Sequence, residues 1–239
     1  MKLYALALLA LHGVAPVRAD LKKVPAKPAV LKGASAPAAA ALAPEVKSVV
    51  EKLQKYYEAT NDFTASFEQS YTYKTFHRTQ ESAGTVKFKK PAQMRWDYLT
   101  PSPRSFVLAN DTAYMLDPEA LTLTKSPLAQ DKLSAAVTFL WGRGKLAEEF
   151  AIQKESTDAG TAVLLALTPR VPDARYQRIK LLVDPGTGQV TRSTVIDPDG
   201  SENVITFKNL QADAGVSDEM FKLKAPPGTK VVDLSTPSR

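Results

Sequence analysis

The sequence predicts an α+β, mainly β protein: an antiparallel meander of about 10–11 strands that curls toward a barrel, with short helices capping it. Three observations carry this. The stretch from Gly84 to Pro101 reads as two alternating strands broken at Lys90-Pro91. Short alternating segments recur along the chain between Asp/Asn/Pro/Gly turn signals, such as Asp184-Pro185-Gly186 and Asp197-Pro198-Asp199-Gly200. Two segments break the alternation with helical spacing, at Glu45–Ala59 and Ser126–Ile152.

In chain order, residues 1–19 have Lys2, an apolar run from Leu3 to Leu11 and a Val17-Arg18-Ala19 ending, which predicts a secretory signal peptide. His12, Gly13 and Pro16 interrupt the run, so it is too short for a membrane span. The chain has no cysteine, which excludes disulfides, thiolate metal sites and a lipid-modified N-terminal cysteine; Asp20 stands where that cysteine would be. Residues 20–44 are rich in Ala, Pro and Lys and predict a disordered linker. The net charge of +6 resides mostly in these two segments, through Lys2, Arg18, Lys22, Lys23, Lys27 and Lys32. Residues 45–239 carry only about +1, which argues against nucleic-acid binding by the folded part.

Residues 45–234 predict one domain and 235–239 a short tail. Val46, Val49, Val50, Leu53, Tyr56 and Tyr57 give the first helix its apolar stripe, with Pro44 at its start. Phe63–Gln69 alternates next, and the pattern continues weakly to His77. In the hairpin, Val86 and Phe88, then Met94, Trp96 and Tyr98, share one aromatic-lined face, opposite Lys87, Arg95 and Asp97. Strands are predicted at 104–109, 113–117, 121–125, 163–168, 177–184, 190–197, 202–210 and 229–233. Within Ser126–Ile152, Leu133, Val137, Leu140 and Trp141 form one helical stripe, Gly142-Arg143-Gly144 ends it, and a shorter helix follows with Leu146, Glu149 and Phe150.

The ordered set of Phe63–Gln69, Gly84–Pro101, Ala113–Asp117 and the closing Phe221–Val232 (F-K-L-K-A-P-P-G-T-K-V-V) resembles the LolA family, the periplasmic lipoprotein carrier proteins of Gram-negative bacteria. The resemblance implies an incompletely closed antiparallel barrel with a lid of three short helices over an apolar cavity. It implies a soluble, monomeric periplasmic chaperone that takes triacylated lipoproteins from an inner-membrane ABC transporter and passes them to an outer-membrane receptor. No cofactor is implied. An acyl chain gains on the order of 0.8 kcal/mol per buried methylene, so such a carrier needs an oily interior.

Candidates for the cavity are Val49, Leu53 and Tyr56 from the first helix, and Phe63, Phe67, Val86, Phe88, Met94, Trp96, Tyr98, Phe106, Leu108, Tyr114 and Leu116 from the sheet. Leu133, Val137, Leu140 and Trp141 are candidates for the lid's inner face. Small barrels are normally filled by side chains, so ordinary core packing competes with this role at each position. At the Lys-Pro turn the family typically has an arginine that latches the lid. Here Lys90 takes that place, with Arg95 as a candidate substitute, and lysine lacks the planar fork.

Catalytic readings find no support. His77 is the one histidine beyond the signal segment, and no Gly-x-Ser-x-Gly elbow, P-loop or dinucleotide fingerprint occurs. Asp158, Asp184, Asp197 and Asp199 sit at turns, where they serve the backbone. No enzyme and no metal site are expected. The competing readings are an envelope sensor or regulator of the same fold acting by protein contact, a receptor that would need the lipidated cysteine, and a structural domain with a filled barrel.

Overall fold

The computed structural model describes residues 42–109, 111–127 and 144–235. Helix α1 spans Pro44–Ala59, and its proline occupies the first turn, where a missing N–H costs nothing. Twelve strands follow. They are β1 (Asp62–Tyr73), β2 (Arg78–Lys89), β3 (Gln93–Thr100), β4 (Arg104–Ala109), β5 (Thr112–Asp117) and β6 (Thr122–Pro127), then β7 (Phe150–Glu155), β8 (Val163–Pro169), β9 (Arg178–Val183), β10 (Val190–Ile196), β11 (Glu202–Ala212) and β12 (Lys230–Asp233). A one-turn helix, α2 (Leu146–Glu149), precedes β7, and a 3₁₀ turn, η1 (Asp218–Phe221), lies between β11 and β12.

All twelve strands form one sheet in the order β12-β6-β5-β4-β3-β2-β1-β11-β10-β9-β8-β7. Neighbours are antiparallel except β12, which runs parallel to β6. Strands β7 and β12 are the two edges, so the barrel is incompletely closed. Curvature is built in by register shifts in β1 between Thr64 and Ser66, in β2 between Ala83 and Gly84, and in β10 between Val190 and Arg192, because a bulge sharpens local twist. At the β2 shift, Gly84 lies so close to β3 that a Cβ there would stand 2.0 Å from the Asp97 carbonyl oxygen.

The inner face is one apolar cluster drawn from α1 and most of the sheet. It includes Leu53, Phe67, Phe88, Met94, Leu108, Leu165 and Val183. A smaller cluster on the outer face joins Val107 and Ala109 of β4 to Val216 and Phe221, with Tyr114 and Leu223 packed against it.

Three expectations need correction. Residues 150–155 form a strand and not the end of a helix. Phe150 and Ile152 alternate with exposed Ala151 and Gln153 along β7, a period of two that the preceding helical stripe obscured. Ser126 and Pro127 likewise belong to β6. Leu42, assigned to the linker, packs against the core. The helical segment carrying Leu133, Val137, Leu140 and Trp141 lies outside the described residues.

Candidate functional site

Between α1, α2 and the concave face of the sheet lies a void of about 50 Å³. Its lining comes from both halves of the sheet: Phe63, Val86, Met94 and Trp96 on one side, and Leu167, Ile179, Leu181, Val190, Ser193, Phe207 and Leu210 on the other. Tyr57 of α1, Leu146 of α2 and Phe150 complete it. A void of this size holds roughly three to five waters at about 10–15 Å³ each, far less than the roughly 300–1,000 Å³ of pockets that enclose drug-sized ligands.

The sheet residues reach this chamber by alternation. Register places Val86 opposite Trp96, Trp96 opposite Phe106, Ser193 opposite Leu181 and Ile205, and Leu167 opposite Ile179, all on the concave side. The β1–β4 wall is aromatic and interlocked. Phe63 stacks on Phe88 with ring centroids 5.1 Å apart, and Phe67 meets Trp96 and Tyr98 edge-on at 4.8 and 4.9 Å. The opposite wall is aliphatic, from Leu165, Leu167, Ile179, Leu181 and Val183.

The roof sits on this wall with its apolar stripe down, and few polar ties hold it. Lys90 Nζ donates to the carbonyl oxygens of Tyr57 and Glu58, each at 2.8 Å, at the C-terminal end of α1 where free carbonyls and the helix dipole favour a cation. Burial lowers the Lys90 ammonium from its ordinary value, against the opposing charges of Glu58 and Asp213. Gln54 bridges to Gly144 and to the Leu146 N–H, and Lys52 Nζ donates to the Pro185 carbonyl at 2.8 Å. Gly188, at φ +83°, lets the β9–β10 turn approach α1; a Cβ there would lie 2.5 Å from the Lys52 carbonyl oxygen. Burial raises the Tyr57 phenol well above its usual range, so it stays neutral beneath the roof.

Of the predicted cavity residues, Phe63, Val86, Met94 and Trp96 border the void. Val49, Leu53, Phe67, Phe88, Tyr98, Phe106 and Leu108 belong to the same inner core without bordering it, and Tyr56 packs at its margin. The buried stripe of α1 runs 46, 49, 50, 53 and 57, so Tyr57 points inward and Tyr56 flanks it. Tyr114 and Leu116 are corrections: register sets them opposite Val107 and Ser105, on the outer face, while Ala113 and Met115 face inward. Arg95 is the third correction. It lies on the outer face, where Nε donates to both Asp97 carboxylate oxygens at 2.9 and 2.8 Å and Nη1 donates to the carbonyls of Met220 and Lys222. It holds η1 against the sheet and makes no bond to α1.

The lining from β8–β11 was missed by sequence reasoning. In β8 the run Leu164-Leu165-Ala166-Leu167 is apolar on both faces and carries no sign of which side is concave. In β9 the signal was present, since Ile179 and Leu181 alternate with Arg178 and Lys180.

A sequence profile described as outer membrane lipoprotein carrier protein LolA matches residues 58–224, from the end of α1 through η1. The chain belongs to the LolA family. Among its relatives in the LolA family, it is similar to an outer-membrane lipoprotein carrier protein of Dechloromonas aromatica, 24% identical over 183 residues, covering 77% of this chain and 86% of that protein. It is also similar to one of Methylobacillus flagellatus, 25% identical over 183 residues, covering 77% and 88%. Among solved structures, an uncharacterized conserved protein from Thermus thermophilus superposes with a TM-score of 0.52 at 11% identity, over 78% of this chain and 98% of that one. At that identity the likeness is one of fold. No helix among the described residues is long and apolar enough to cross a membrane, and no group of three or more His, Asp or Glu side chains among them could hold a metal ion.

Proposed function

We propose that this chain is a periplasmic chaperone that shields the acyl chains of lipoproteins between membranes and catalyses no reaction. The observation that carries the reading is the apolar chamber under a roof tied by a handful of polar bonds, in a chain whose family relatives are named as lipoprotein carriers. The chamber is small at rest, so its oily walls meet one another when empty and are separated when loaded. Resting closure limits the apolar surface shown to water, and the energy to reopen it comes from burying the methylenes of the cargo. In this reading an inner-membrane ABC transporter supplies triacylated lipoprotein and an outer-membrane receptor removes it. Residues 1–19 act as the export signal and the residues from 20 up to Leu42 as a spacer.

The aromatic wall has a defined part in hand-off. Its rings are fixed by edge-on and stacked contacts, so they cannot follow a flexible chain closely, which keeps binding below that of a bilayer. Lys90 is the latch whose release lets α1 swing.

The test is to incubate the purified protein with membranes that hold a triacylated lipoprotein and its transporter. The expected product is a water-soluble one-to-one complex, and Leu210→Glu, at the margin of the void, abolishes it while the far-UV spectrum is retained. Retention of all lipoprotein in the membrane by the wild-type protein, with the transporter active, defeats the reading.

A further inference from the structure

The chamber is not uniformly apolar. Two of its lining side chains are polar, nine-tenths or more buried, and without a hydrogen-bond partner among the described residues: Trp96 through Nε1 and Ser193 through Oγ. A third polar lining group, the Tyr57 hydroxyl, is already engaged by the Val190 backbone. The indole N–H can only donate, and the serine hydroxyl can donate as well. Both line the void, Trp96 from β3 and Ser193 from β10, with β2, β1 and β11 between them in the curled sheet.

Packing accounts for the bulk of each residue but not for its unmet polar atom. Ser193 interrupts an aliphatic row between Leu181 and Ile205, where a valine or alanine would bury its surface without an orphaned hydroxyl. Trp96 is wedged between Phe67 and Phe207, where a phenylalanine would offer ring contacts without an unmet N–H. A buried donor left unpaired is costly, and an alkyl chain entering the chamber would leave both unpaired. A ligand that brings acceptor oxygens next to its hydrocarbon would satisfy them. The carbonyls of acyl esters and amides have that chemistry, being acceptors without a donor of their own at the ester.

We propose that Trp96 Nε1 and Ser193 Oγ are specificity-determining donors that bind the carbonyl oxygens of acyl esters or amides, so that the chamber takes acylated ligands ahead of alkyl chains lacking a carbonyl. This rests on the carrier reading and adds to it what the cavity recognises besides length and oiliness.

The experiment compares 1-monopalmitoylglycerol with its ether analogue 1-O-hexadecylglycerol, which differs at the carbonyl, as competitors of the apolar dye N-phenyl-1-naphthylamine on the purified protein. The wild type is expected to favour the ester by about fivefold or more, the size of one net hydrogen bond. Trp96→Phe with Ser193→Ala is expected to bring the two ligands within about twofold, with the ester losing more affinity than the ether. A purely structural role for these residues would move both ligands together. Ser193→Ala alone, the milder change, should show an intermediate ratio and guards against misfolding of the double variant. Equal displacement by ester and ether in the wild type, or a preference undiminished in the double variant, overturns the donor pair and leaves the carrier reading standing. If neither ligand displaces the dye, the carrier reading falls and the donor pair with it.

Discussion

Strand β3 is covered on both faces, and the two covers are held by different forces. On the outer face, Arg95 joins Asp97 to the carbonyls of η1, Ser105 Oγ donates to Asp97 at 2.7 Å, and Lys87 lies 3.6 Å from the same carboxylate. There Phe221 and Val216 pack directly on Val107 and Ala109. On the inner face, Trp96 and Met94 look onto the void, and the cover, α1, is held mainly by its apolar stripe with Lys90 at one end. The outer cover is fixed by charge-assisted bonds that have one geometry. The inner cover is fixed by non-directional burial, which tolerates being lifted and replaced by another apolar surface. The difference separates a face fixed by directed bonds from the face proposed to take cargo.

The largest effect should come from the aromatic wall that the inner cover rests on. Phe67→Ala removes a ring that is 1% exposed and touches both Trp96 and Tyr98, and should cost about 3–5 kcal/mol in urea unfolding. A loss below about 1 kcal/mol would mean the wall is slack and the contrast with the outer face misplaced. Gly188→Ala comes next. It forces a side chain into a left-handed conformation against the backbone of α1, and should cost about 1–3 kcal/mol, with faster dye entry into the chamber.

Arg95→Met should be close behind at about 1–2 kcal/mol, because half-buried Asp97 loses the Nε–H shared between its two oxygens, but dye entry should stay at the wild-type rate. Lys90→Met is the reverse case. About 1 kcal/mol of stability should be lost, dye entry should quicken several-fold, and Lys90→Arg should restore slow entry. Equal dye kinetics in the Arg95 and Lys90 variants would erase the distinction between the two covers.

The smallest effect is one of pH. Burial alone would raise the Asp97 carboxyl, but hydrogen bonds from Arg95 and Ser105 and the charges of Arg95 and Lys87 outweigh it and hold it below the ordinary 3.8. The folded state thus binds the proton less readily than the unfolded chain. The resulting stability is complete above pH 3.8 and is lost as pH falls through the lower folded value. Acid unfolding of Arg95→Met should show a smaller component of this kind, since Ser105 and Lys87 remain, while that of Lys90→Met should keep it whole.

The inner face of β1–β3 was legible because Phe63, Phe67, Val86, Phe88, Met94, Trp96 and Tyr98 alternate with polar residues, and a period of two has one meaning. In β5, by contrast, Ala-Tyr-Met-Leu is apolar throughout, so the larger residues Tyr114 and Leu116 suggested the wrong face. The proposed latch was legible only as a position: a cation at the Lys-Pro turn. That Lys90 reaches the end of α1 while Arg95 turns outward depends on register, which puts neighbouring odd and even residues on opposite sides of a sheet.

By itself, then, the amino-acid order determined the first helix, most strands of the meander, the aromatic wall and the family, because these rest on local periodicity and on motifs in sequence order. Only the tertiary structure decided which strands share the chamber with that wall, how small the void is, and that Trp96 Nε1 and Ser193 Oγ lack a hydrogen-bond partner among the described residues. Those outcomes depend on residues 97 positions apart meeting across a curled sheet, and no local pattern encodes a distance between two walls.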